Sequence, residues 1–428
     1  MSAPNSLAEP PPGQAPRTAA SASCNGLGEL IAQVLRSHPA IQARTKGVEA
    51  SQAEIAMARW QFYPSVSLGV QSAKDSATSA APSRTASLSV QQPLWSGGRI
   101  EANVHTASRK QTLAEAAVLE SRLDVALKGV DAWASWLAAT GRRVATDDAM
   151  TKLDQLDAMI RRRVDQQVSA MVDGQLMAVR LQQARAEQLA AQIAQDVAAQ
   201  RLTQWVGHAN WAPSMRAGEL LACHRSWVNG QDLPVAASAW VDRQPAVLRN
   251  QAEGEVSAAE VEQRRAERWP TVFARLERQS NETGLGLGSG MSNRWVVGLQ
   301  YTPGAGLSTL QADKASIARQ QSLEQEGEAL RRDWRQRMDG DLLEFQGNQQ
   351  RLQLLEAARH GNLTLTDAYT RLFVAGRRSW LELLNVVREV VQSDIAASDL
   401  LATQVGLLHR LQLYRQDAAT GSPLGGAP

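Results

Sequence analysis

Within Ser87-Leu88-Ser89-Val90-Gln91-Gln92-Pro93-Leu94-Trp95-Ser96-Gly97-Gly98-Arg99 the chain changes its period. Leu88 and Val90 alternate with Ser87, Ser89 and Gln91, the two-residue rhythm of a strand with one apolar face, and Pro93 is expected to close the run. From Arg99 to Gln167 the chain reads as one helix of 69 residues, roughly 100 Å long at about 1.5 Å per residue. A one-faced strand feeding a very long helix is the first structural expectation.

Upstream, Tyr63-Pro64 opens a second alternating run in which Val66, Leu68 and Val70 are separated by Ser67 and Gly69. Strands are therefore expected over about 64–74 and 85–95. The same order returns later in the chain. His38-Pro39-Ala40-Ile41 recurs as Gln244-Pro245-Ala246-Val247, and Tyr63-Pro64-Ser65-Val66 as Trp269-Pro270-Thr271-Val272, both displaced by 206 residues. Val172-Asp173 pairs with Leu381-Glu382 at an offset of 209, and Gln92-Pro93-Leu94-Trp95 has a looser echo in Thr302-Pro303-Gly304. The second strands fall at about 270–280 and 293–303, with Val272, Ala274 and Leu276 and then Trp295, Val297 and Leu299 on the apolar side. Each half reads helix, strand pair, long helix, turn, helix.

Helix lengths match across the halves. Gly28–Phe62 and Met171–Val206 hold 35 and 36 residues, so that laid end to end they match the long helix to within two residues; Ala237–Arg268 and Ser379–Arg415, with 32 and 37, do the same against Ser308–Val374. The expected organisation is a tail over 1–26, a first repeat over 27–207, an inter-repeat segment over 208–236, a second repeat over 237–415 with its long helix at 308–374, and a tail over 416–428.

Aromatics make up 5% of the chain, and 45 basic against 43 acidic residues leave a net charge of +2. No global field favours nucleic acid, and Arg161-Arg162-Arg163 reads as a solvated helix face. The glycine run Gly284–Gly290 leads into a strand and not a helix, which makes it a loop and not a phosphate cradle. The six histidines show neither metal-ligand spacing nor a catalytic partner, so no enzyme activity, metal or cofactor is expected. Cys24 and Cys223 are either an oxidised pair or two free thiols. The first 16 residues carry five prolines and no apolar core, so they are not expected to act as a secretory signal.

No uncharged apolar run is long enough for a transmembrane helix, a test that does not apply to barrel strands, which are apolar only at alternate positions. Trp60, Phe62, Tyr63, Trp95, Trp269, Phe273, Trp295 and Tyr301 are placed by the sequence at strand ends, where the interfacial girdles of a membrane barrel lie.

Gln92-Pro93-Leu94-Trp95-Ser96-Gly97-Gly98-Arg99 resembles the strand-to-helix segment of the TolC-like outer membrane factors, and Phe373-Val374-Ala375-Gly376-Arg377-Arg378-Ser379-Trp380-Leu381-Glu382-Leu383-Leu384-Asn385 is similar to that family's second hairpin tip. The likeness extends over about Leu27 to Leu413. It implies long antiparallel helical hairpins in an α-barrel and four strands per chain in a trimeric, 12-stranded transmembrane β-barrel, with two internal repeats. Four strands cannot close a barrel alone, since about eight is the smallest number observed. The resemblance also implies an outer membrane export duct of a Gram-negative bacterium with a large periplasmic portion. Its partners would be a periplasmic adaptor and an inner-membrane ABC or proton-driven transporter, its cargo a polypeptide in type I secretion or small molecules.

By position, Pro93, Gly97, Gly98, Arg99 and Pro303 would form the strand–helix junctions. Arg378 and Asp173 would tie the tip together, and Glu382 with Asn385 would line its constriction, with Gly376 reversing the chain and Ser379 capping the next helix. Three positions depart from the family pattern: Gln167 stands where glycine is usual, Asn385 where aspartate is common, and Phe373 where some members have tyrosine. The competing reading is a periplasmic adaptor or a soluble coiled-coil scaffold. An adaptor would carry one hairpin within β-rich modules, whereas here the hairpin occurs twice.

Overall fold

A computed structural model describes residues 26–73, 83–207, 217–229, 237–282, 290–301 and 309–415. Along the chain these form α1 (Gly26–Ser37), α2 (Pro39–Trp60), β1 (Ser65–Ala73), β2 (Ser83–Trp95), α3 (Arg99–Asp165), α4 (Met171–Val206) and α5 (Ala217–Asn229). A 3-10 turn (Ala237–Arg243) then precedes α6 (Pro245–Ala266), β3 (Thr271–Glu282), β4 (Gly290–Gln300), α7 (Thr309–Val374) and α8 (Trp380–Arg415). Pro303, Cys24 and the glycine run 284–289 lie outside the described residues.

The unbroken helices expected over Gly28–Phe62 and Ala237–Arg268 are each divided in front of a proline. Pro39 and Pro245 sit at the first position of α2 and α6, where a missing N–H costs nothing, while the residue before each is pushed out of the helical region. Gln244 accordingly is extended, with φ −65° and ψ 134°. Helices α3 and α7 run for 67 and 66 residues without such a break. Cys223, on α5, is disulfide-bonded, which excludes the free-thiol alternative; Cys24 is the chain's one other cysteine.

The chain divides into two compact units. One comprises residues up to His38, Arg122–Trp240 and Arg335 onward. Its core is organised on α8, whose Leu401, Leu408 and Leu411 are fully buried and stabilise the unit by roughly 2 kcal/mol each. Gln404, also fully buried, donates from Nε2 to the Phe345 carbonyl at 2.8 Å. Near the hairpin ends, Leu156, Ile160, Met177, Phe373, Trp380 and Leu383 form one apolar cluster drawn from α3, α4, α7 and α8.

The other unit comprises Pro39–Ser121 and Val241–Trp334 and contains the sheet. Its strand order is β1-β2-β3-β4, antiparallel throughout. The β2–β3 pairing therefore joins the two sequence repeats, with Ser89 opposite Glu277 and Val90 opposite Leu276. Strand β2 does not end at Pro93 as the alternation suggests. It continues to Trp95 across a register shift between Pro93 and Trp95, where the proline's missing donor is tolerated.

Candidate functional site

Direct cross-strand partners project to the same side of a sheet, so the register assigns every strand residue to a face. Val66 and Val90 align with Leu276 and, on β4, Trp295; Leu68 and Leu88 align with Arg278 and Asn293, and Val70 and Ala86 with Ser280 and Met291, while Ala274 pairs with Val297 and Val272 with Leu299. This face is predominantly apolar, interrupted by Arg278, Ser280 and Asn293, and it is bare: Leu68 is 78% exposed, Val70 75%, Trp295 79% and Val297 75%. The opposite face carries Ser67, Ser89, Gln91, Arg275, Glu277, Gln279, Arg294 and Ser292. Its hydroxyls and amides bond across strands, as in Ser67 Oγ to Ser89 Oγ at 2.7 Å. Strands β1 and β4 are the sheet's edges.

The junction glycines have different tasks. Gly97 and Gly98 hold φ of +61° and +84°, and a Cβ on Gly97 would lie 2.3 Å from Cβ of Trp269. Only glycine meets both demands at position 97. Buried Ser96 then caps α3, its Oγ accepting from the Ile100 N–H at 3.4 Å. Arg99 is the first helical residue, and Pro93 lies in the strand four residues before Gly97.

Of the expected girdle, Trp60, Tyr63, Trp95, Trp269 and Tyr301 sit at or just beyond the strand ends from which the helices leave, and all are exposed. Trp60 and Tyr63 have ring centroids 5.0 Å apart. Trp295 and Phe273 depart from that placement. Trp295 is mid-strand on the apolar face opposite Leu276, and Phe273 lies on the polar face, filling the space left by Gly298.

The two hairpin tips have the same backbone. Gln167 N–H bonds to Val164 O and Val168 N–H to Arg163 O; 209 residues on, Gly376 N–H bonds to Phe373 O and Arg377 N–H to Leu372 O. Both are Schellman turns with a left-handed residue just past the helix, Gln167 at φ 59° and Gly376 at φ 72°. The tips differ in the helix that follows. Ser379 and Glu382 form a reciprocal capping box, Ser379 Oγ accepting from Glu382 N–H at 3.3 Å and Glu382 Oε2 from Ser379 N–H at 3.2 Å. At the first tip the corresponding cap is Ala170, which makes no side-chain bond. A side chain in the left-handed region and an absent cap each cost about 1 kcal/mol, so the first tip is the weaker turn.

Gln167→Gly is accordingly expected to strengthen that tip by about 1 kcal/mol, slowing amide hydrogen exchange at Val168 and Ser169 about fivefold. Unchanged exchange would mean that the turn opens through some motion other than unwinding at position 167.

Among the described residues of this chain, Arg378 pairs within its own turn and with no acid of another helix. Its Nη1 meets Glu382 Oε1 at 3.1 Å within its own turn, while its guanidinium lies 5.3 Å from the Tyr369 ring on α7. The Glu382 carboxylate is thereby shared between the cap and Arg378. Asp173 is half-buried in the first turn of α4 and Asn385 is exposed, with neither bonded to Arg378. Phe373 is buried in the inter-helix cluster, where the lack of a hydroxyl is what packing requires. Arg163, read from the sequence as part of a solvated run, instead lies 4.8 Å over the Phe373 ring and donates to its carbonyl at 3.4 Å. Its place one turn before the tip is the sequence signal for that role. Val168, Met171, Val172 and Val374 leave apolar surface exposed around the turns.

Among the described residues no group of histidine, cysteine and carboxylate side chains is arranged to hold a metal, and no helix is long and apolar enough to cross a membrane.

Residues 30–208 match the family model described as outer membrane efflux protein. No match was found among curated proteins. The fold is similar to that of CusC, whose structures concern folding and transmembrane channel formation, with a TM-score of 0.77 at 14% identity, covering 91% of this chain and 92% of that one. It is similar also to the outer membrane protein VceC of Vibrio cholerae (TM-score 0.73, 14% identity, 91% and 96% covered). The open state of the Neisseria gonorrhoeae outer membrane channel MtrE gives 0.74 at 13% identity, with 93% and 89% covered. At these identities the likeness establishes the fold: long helices with a four-stranded antiparallel sheet.

Proposed function

We propose, from the premise that this chain belongs to the outer membrane efflux protein family through residues 30–208, that three copies close one 12-stranded barrel in the outer membrane and continue it as a periplasmic helical duct. The observation that carries this reading is the two-faced sheet. A predominantly apolar, exposed face needs a covering of its own polarity, and edge strands with open backbone groups need strand partners in a lipid environment. Membrane lipid on one side and further copies of β1 and β4 at the edges meet both needs. A soluble scaffold would leave that face in water.

The exposed apolar residues of the tips are the surface offered to a periplasmic adaptor, through which an inner-membrane ABC or proton-driven transporter would deliver polypeptide or small-molecule cargo. The duct conducts and does not catalyse; choice of cargo rests with those partners. Chemical cross-linking to a trimer, together with recovery of the protein from the outer membrane only with detergent, tests the assembly. A monomer recovered without detergent would sink it.

Within this reading Arg378 and Glu382 narrow the periplasmic entrance. The exposed pair contributes only about 0.5 kcal/mol to stability, so Arg378→Ala should leave the unfolding midpoint nearly unmoved. Single-channel conductance in planar bilayers is expected to rise, because the freed Glu382 carboxylates repel one another across the opening. An unaltered conductance would remove the pair from the gate.

A further inference from the structure

The polar face of the sheet is not electrically neutral. Among the described residues it carries Arg275, Glu277 and Arg294, and the last two stand directly opposite each other across β3 and β4. This one acid balances one of the two arginines, so the face keeps one net positive charge. Arg275 is different: it stands opposite Gln91, whose Oε1 accepts from Arg275 Nη2 at 2.6 Å and from Nε at 3.1 Å. A neutral amide orients a guanidinium without cancelling its charge. No carboxylate lies within ion-pair distance of Arg275 among the described residues. The side chain is further steadied by the Phe273 ring, 5.1 Å from its guanidinium carbon, and that ring is itself seated against Gly298, where a Cβ would come within 2.6 Å.

We propose that Arg275 is a selectivity residue of the barrel, held by Gln91 and Phe273 so that its charge faces the lumen and favours solutes bearing phosphate or carboxylate groups. The inference rests on the reading of the polar face as a lumen. Threefold assembly would set three such guanidiniums at one level, near the strand ends from which the helices leave. A preorganised, partly desolvated cation on the lumen wall costs no reorganisation as an anion passes. The polar neighbours Ser67, Ser89 and Gln91 carry no charge, and Glu277, two residues along β3 on the same face, stands opposite Arg294 and makes no ion pair with Arg275.

The test uses the full chain, purified as assembled channels, in planar bilayers under a KCl gradient. Arg275→Gln is expected to raise the permeability of K⁺ relative to Cl⁻ about threefold over the unsubstituted protein, with a larger shift at low salt. Added tripolyphosphate should reduce the current through the unsubstituted channel and have less effect on the variant. Arg275→Lys, which keeps the charge and loses the fork, should retain the original ion preference. Channels that conduct with the same permeability ratio in all three proteins would overturn the assignment and leave the duct standing. Absence of any conductance from the unsubstituted, trimeric protein would overturn the duct itself. If Arg275→Gln fails to assemble, loss of the anion preference in Arg275→Lys also counts against the proposal.

Discussion

Val297→Arg is expected to destabilise the membrane-inserted protein by about 2–4 kcal/mol per chain, the cost of placing a cation on the lipid-facing side of a barrel strand near mid-membrane. Val297 is 75% exposed on β4, opposite Ala274, with Trp295 and Leu299 on either side of it on the same face. No carboxylate is available on that face in its neighbourhood. Ser292→Arg supplies the control, since it places the same side chain on the same strand but on the polar face, opposite Gln279. Its cost should stay within about 0.5 kcal/mol. Unfolding of both variants from lipid vesicles by urea compares the two directly. Equal losses would show that lipid does not distinguish the two faces, and the barrel reading would fail with that result.

Acidification is expected to weaken the helical unit through His224 on α5 and His409 on α8, each 1% exposed. Burial pushes the His224 imidazole down to about 4. His409 is pushed down to about 3, chiefly by burial and further by the neighbouring His224. Both are therefore neutral in the native protein, whereas the unfolded chain takes up protons near pH 6.5. Their contribution is complete above about pH 6.5 and is lost as pH falls towards the folded values, because there the unfolded state binds more protons. Each group in this window contributes up to about 1.4 kcal/mol per pH unit, or about 4 kcal/mol for the pair between pH 6.5 and 4.5. Denaturant unfolding followed by helical circular dichroism, at pH 6.5 and 4.5, reads the loss. His224→Leu should shallow the slope, and a variant as acid-sensitive as the unsubstituted protein would remove His224 as its source.

The contrast between these residues follows the range over which each kind of information acts. The alternation of Leu88 and Val90 with serines was readable because a strand's faces follow from neighbouring positions on one chain. Glycine 97 was conspicuous in its motif, yet its reason, the approach of Trp269, lies 172 residues away. Gln167 departs from the glycine usual at that tip, and its backbone is as left-handed as that of Gly376. Ser379 followed by Glu382 is a capping-box spacing, so the cap was readable, while the sharing of that carboxylate with Arg378 was not. Pro39 and Pro245 carried a helix-break signal that length matching obscured. The role of Arg163 is not legible in the sequence, because a run of three arginines gives no indication of which one turns towards Phe373.

By itself the sequence determined that this protein has one-faced strands, very long helices and a duplicated plan, since periodicity, prolines and glycines act locally. The tertiary structure alone decided that β2 pairs with β3, uniting the repeats in one sheet, and that Arg275 stands opposite Gln91. Alternation specifies which side of a strand is apolar but carries no record of its neighbour. That choice is made by hydrogen bonds and packing between distant segments, as between Gln91 and Arg275, 184 residues apart.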